Sequence, residues 1–137
     1  MRNENLLNSG LLVLRIGIGL AMFAHGLPKL MGGVETWTWL GSTMSQVGIN
    51  FAPTFWGFLA AFTEAIGGLL FAIGLVHRPI SLMLIGMMGM AIVSHVSQGD
   101  GFMGYSHALE LMVVFVAMFI TGPGKYSLDQ KLIPQLV

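Results

Sequence analysis

Seven side chains able to move a proton or hold a cofactor lie in or beside long apolar runs: Arg15, His25, Lys29, Glu64, His95, His107 and Glu110. In hydrocarbon each is costly. An Arg at the centre of a spanning helix costs roughly 2.5–3.5 kcal/mol on insertion scales, and such residues face a bundle interior, where they find a counter-charge or water. Residues 11–29 are apolar enough to cross a membrane yet carry Arg15, and the carboxylates in the other apolar runs are Glu64 and Glu110. Counting depth from the ends of each run puts Arg15 and Glu64 near mid-membrane and Glu110 nearer one face, so the spacing predicts an Arg15–Glu64 ion pair. Arg15, Glu64 and Glu110 are thus the candidates for catalysis, and His25, Lys29, His95 and His107 the candidates for holding a cofactor.

Three uses fit this set. The first is a structural ion pair that fixes helix register, with the histidines as hydrogen-bond partners or interface residues. A buried pair contributes little net stability, because desolvation offsets attraction, so specificity or chemistry is its best use. The second is a pocket for a quinone or similar head group, in which Arg15 or a histidine donates to a carbonyl while Glu64 or Glu110 supplies or removes protons. A haem or metal site fits less well: His95 with His25 would give two axial ligands and His107 with Glu110 an i, i+3 pair, but no H-x-x-x-H or carboxylate-rich repeat reinforces them. No resident metal is expected, and the cofactor stays open.

The elements that position these residues follow from composition. With 55% hydrophobic and 9% charged residues, against about a quarter charged in soluble domains, the chain is an integral membrane protein whose first partner is the lipid bilayer. Six basic residues balance six acidic ones, which argues against a nucleic-acid partner. Cysteine is absent, so thiol redox chemistry and cysteine-ligated clusters are excluded, and redox electrons would need a bound cofactor.

The fold class expected is all-α: a four-helix transmembrane bundle, with an amphipathic surface segment between helices 1 and 2, forming one domain over 1–137. The first helix runs from about residue 6 or 9 to 27 after a polar lead over 1–8, and Pro28 with Gly32-Gly33 ends or kinks it. Arg15 interrupts any signal-peptide core and Met22-Phe23-Ala24 offers no cleavage site, so this helix is read as retained. Residues 33–53 are too polar to span. Trp37, Leu40, Met44 and Val47 recur on one helical face there, and Trp37 and Trp39 suit the membrane surface. Residues 54–76 make the second span, His77-Arg78-Pro79 a tight turn, and the third span runs to about residue 96. A Gly-rich connection over 98–104 leads to the fourth span, 105–121, which Gly122-Pro123-Gly124 stops, leaving a polar tail over 125–137. Gly17, Gly19 and the Gly67-Gly68 pair are sites for close helix approach.

Four spans leave both termini on one side, and Arg2, Arg78, Lys125 and Lys131 there outnumber Lys29 opposite. The N- and C-termini are therefore expected in the cytoplasm, the membrane being a bacterial inner (plasma) membrane. Four helices are few for a solute pathway, which would require copies to associate, and a homo-oligomer is expected.

Four patches carry a family resemblance: LLVLRIGIGLAMFAHGLPKL at 11–30, EAIGGLLFAIGLVHRP at 64–79, SHALELMVVF at 106–115 and GPGKYSLD at 122–129. In these the chain resembles the DoxX family of small four-helix integral membrane proteins. The resemblance implies a four-helix bundle and membrane redox chemistry, since relatives include a subunit of a thiosulfate:quinone oxidoreductase and partners of superoxide-detoxifying enzymes. The expectation is therefore a membrane subunit of a quinone-linked oxidoreductase system beside a partner oxidoreductase subunit. The alternative is a non-catalytic scaffold that recruits or stabilises a partner redox enzyme.

Overall fold

The computed structural model describes residues 2–136. Met1, where the polar lead was expected to begin, and Val137, where the tail ends, lie outside the described residues. Among the described residues every regular element is helical. The helices are α1 (Arg2–Met31), α2 (Gly33–Gly41), α3 (Pro53–Ile73), α4 (His77–Ser97), α5 (Phe102–Thr121) and the short α6 (Leu128–Leu132). Four of them, α1, α3, α4 and α5, are long and apolar enough to cross a membrane, so the all-α four-helix membrane bundle stands.

We call the end where α1 begins and α5 stops the base, and the opposite end the mouth. Neighbours pack in the order α1, α3, α4, α5. The core between them is apolar: Met22, Phe71, Leu84, Met88, Phe115 and Met118 are all buried, and the Phe71 and Phe115 rings meet edge to face at 5.3 Å.

Small residues set the tightest crossing, that of α1 on α3. A Cβ added at Gly19 would lie 2.6 Å from the Gly68 carbonyl oxygen, and one at Gly68 would lie 2.8 Å from that of Gly19. Gly26 sits as closely on the backbone of Glu64 and Ala65. Gly17, by contrast, faces open space, and Gly67 has only ordinary contacts.

Two features of α1 differ from the expectation. It continues through Pro28 to Met31: the proline gives up one hydrogen bond and crowds the carbonyl four residues before it, and doing so in the last turns disturbs only the end of the helix. It also stops level with the middle of α3, since Gly26 abuts Ala65. Beyond the break at Gly32, α2 carries the chain onward along the first turns of α3. Gly41 packs on Pro53 and Gly57 on Trp37, Trp37 meets Phe58 edge to face at 5.0 Å, and the Trp37 indole N–H donates across the break to the Lys29 carbonyl at 3.1 Å. The amphipathic segment is therefore a packed helix followed by a 3-10 stretch, Ser42–Val47. Trp37, Leu40 and Met44 are half-buried, whereas Trp39 and Val47 point outward.

Candidate functional site

The mouth contains an open chamber of about 690 Å³. Its floor is an ion pair: Lys29 Nζ donates to Glu64 Oε1 at 2.9 Å and to Oε2 at 2.6 Å. The Glu64 side chain is 10% exposed and that of Lys29 41%, so the ammonium faces the chamber and the carboxylate lies beneath it. Lysine has three N–H donors, which leaves one for an occupant.

The backbone explains why Glu64 reaches this place. Residues Thr63–Gly67 form a π-helical turn inside α3. Such a turn inserts one residue into the α-helical register, re-aims the side chains beside it and recurs at functional sites. Met87, Met88, Met90 and Ala91 of α4 form one wall, and Ser42, Thr43, Ser45 and Gln46 of the 3-10 stretch form the other. The rim carries Ser94, His95 and Gln98, where His95 Nδ1 is 2.6 Å from Asp100 Oδ2.

A second cavity of about 320 Å³ adjoins the chamber, sharing Leu40, Thr43, Ala60, Met87 and Met90 with it. Met44, Leu59, Met83 and Trp56 make it apolar. The Trp56 indole N–H, buried and without a partner, is a donor awaiting an acceptor.

The base is built differently. Arg15, 1% exposed, donates from Nε to the Ala72 carbonyl at 2.8 Å, from Nη2 to that of Tyr126 at 2.9 Å, and from Nη1 to that of Pro123. Here the expected Arg15–Glu64 pair is corrected. Helix α3 ends beside Arg15, where its last carbonyls lack intrahelical partners and carry the negative end of the helix dipole, and a planar guanidinium can serve several at once.

The tail is also corrected, because it folds back onto the base. Asp129 Oδ1 accepts from the Val76 amide at 2.7 Å and Oδ2 from the His77 amide at 2.8 Å, so the tail caps the start of α4. Ser127 Oγ accepts from the Gln130 amide at 3.2 Å and starts α6, and Asn8 Oδ1 accepts from the Lys125 amide at 2.7 Å. Gly74 sits at φ +69°, where a Cβ would strike Ser127 and Arg15. His77 is fully buried here against the Phe71 ring at 4.7 Å, with neither ring nitrogen partnered.

The seven candidates therefore separate into three places. Lys29, Glu64 and His95 meet at the mouth, and Arg15 lies at the base. His25, His107 and Glu110 are on exposed faces of α1 and α5 and line neither cavity. Sequence reasoning missed Asp129, His77 and Trp56. Only Asp129 left a signal: Ser127-Leu128-Asp129-Gln130 follows the S-x-x-Q pattern of a helix start.

The DoxX family model matches residues 10–96, which span α1 through nearly all of α4. An Escherichia coli (strain K12) protein described as inner membrane protein YphA is 26% identical over 129 residues, covering 88% of this chain and 89% of that protein. No solved structure matches the chain.

Proposed function

The chain belongs to the DoxX family, and from that premise we propose that it binds a quinone at the mouth as a membrane subunit of a quinone-linked oxidoreductase system. The observation that carries this reading is the Lys29–Glu64 pair at the floor of an open chamber joined to an apolar one. A pair of this kind adds little to stability, so a place in chemistry accounts for it better.

The cavities fit such a molecule part by part. The free Lys29 N–H suits a ring carbonyl, the methionine wall suits the ring face, and the second cavity suits the start of an isoprenoid tail. A bound quinone would supply the capacity to accept two electrons and two protons, the electrons coming from a partner oxidoreductase subunit. Lys29 orients the carbonyl, and its two hydrogen bonds hold the Glu64 carboxylate at the chamber floor. Glu64 takes or returns a proton at the ring oxygen, and His95 with Asp100 stands at the rim, where protons exchange with water. Arg78, Lys125 and Lys131 near the base support an orientation with the base towards the cytoplasm, and the inner-membrane description of the Escherichia coli relative supports a bacterial inner membrane.

The test is a titration of the purified protein in lipid nanodiscs with a short-tailed ubiquinone, read by quenching of Trp39 and Trp56. Saturable quenching is expected, and Lys29→Met should weaken it about tenfold, the scale of one charge-assisted hydrogen bond. Quenching that never saturates, or that Lys29→Met leaves unchanged, removes the quinone reading and leaves the scaffold for a partner redox enzyme.

A further inference from the structure

Three ionisable candidates within spanning helices have no partner within the protomer among the described residues: His107 near the start of α5 and, deeper, His25 on α1 and Glu110 on α5. The deeper two, His25 and Glu110, are exposed, which in a bilayer means facing lipid or another protein. Polar groups at such depth almost always face protein or water, because lipid offers them nothing.

Their depths coincide. Gly26 abuts Ala65 of α3, which places His25 level with residues 65–66. Helices α3 and α5 run in the same direction, and Phe71 packs on Phe115, so Glu110, five residues mouthward of Phe115, is level with residue 66 of α3. Both groups also sit on the flanking helices of the bundle: packing runs α1 to α3 to α4 to α5, and α1 meets the segment just after α5 at the base, where Leu11 and Asn8 touch Gly124 and Lys125.

We propose that a second copy of this chain docks on the α1 and α5 side about a two-fold axis along the membrane normal, His25 of one copy meeting Glu110 of the other. Charge complementarity selects this occupant. A two-fold axis keeps depths equal and sets α1 opposite the partner copy's α5, so the acid–base contact forms twice. Gly17 and Ala21, spaced four apart from each other and from His25 on the exposed side of α1, admit a close helix. An interhelical hydrogen bond of this kind is a recognised means of helix association in lipid.

The absence of cysteine makes the test direct. Chains carrying Ala24→Cys and Val113→Cys, which keep His25 and Glu110, are co-expressed with tags of different size and oxidised in native membranes. A disulfide-linked heterodimer is expected well above the yield from Leu82→Cys, an exposed position on α4. Adding Glu110→Gln should lower the yield about tenfold, the scale of one interhelical hydrogen bond, and the exchange His25→Glu with Glu110→His should restore it. Yield no higher than that of Leu82→Cys, Val113–Val113 products dominating, or indifference to Glu110→Gln would each overturn the proposal.

Discussion

At the base, Arg15 and Asp129 direct their hydrogen bonds at backbone: three carbonyls for the cation, two amides for the carboxylate. At the mouth, Lys29 and Glu64 direct theirs at each other. Each end thus ties down one cation and one carboxylate through these bonds, yet the consequences differ. Backbone partners sit at helix ends, so the base charges fasten α1, the end of α3, the start of α4 and the tail into one knot. A side-chain pair fastens only two helices, and because Lys29 is 41% exposed it can take a third partner. Satisfied backbone marks a structural device, and an incompletely satisfied pair at an open chamber marks a site.

The sharpest way to break this contrast is to remove Arg15. Arg15→Met strands three carbonyls at the base, so unfolding free energy should fall by about 3–5 kcal/mol, the range for breaking a buried charged network. Denaturant unfolding in mild detergent checks it, and a loss below about 1 kcal/mol would mean that the base does not hold the bundle together. Asp129→Ala comes next, with an expected loss of about 2 kcal/mol as a helix cap disappears. Faster hydrogen exchange at the Val76 and His77 amides should accompany it. The smallest effect belongs to the mouth: the double replacement Lys29→Met with Glu64→Gln should change stability by less than about 1 kcal/mol, since removing both members of a pair strands neither. A larger loss would make the mouth pair structural and erase the contrast.

The four spans were legible because each is a long apolar run bounded by Gly, Pro or polar turns, and Gly19 and Gly68 signalled the α1–α3 crossing. The pairing of charges was not. Depth counted from the ends of each apolar run assumes that the four helices share one register, whereas α1 is 30 residues long and is displaced towards the base. That displacement lowers Lys29 to the level of Glu64 and sets Arg15 beside the end of α3. Nothing local announces it, since it depends on Gly26 meeting Ala65 across the interface. The π-helical turn that aims Glu64 left no recognisable pattern either. The tail did leave one, in Ser127 and Gln130, but its charged composition masked it.

The most direct test of a structural base and a functional mouth is the shift in thermal midpoint on adding short-tailed ubiquinone, measured in parallel on the native protein, Asp129→Ala, and Lys29→Met with Glu64→Gln. Ligand that binds only the folded state raises the midpoint. The expected result is a lowered midpoint with the full quinone shift for Asp129→Ala, and a near-native midpoint with no shift for the double replacement. A full quinone shift in the Lys29 and Glu64 variant would contradict the account.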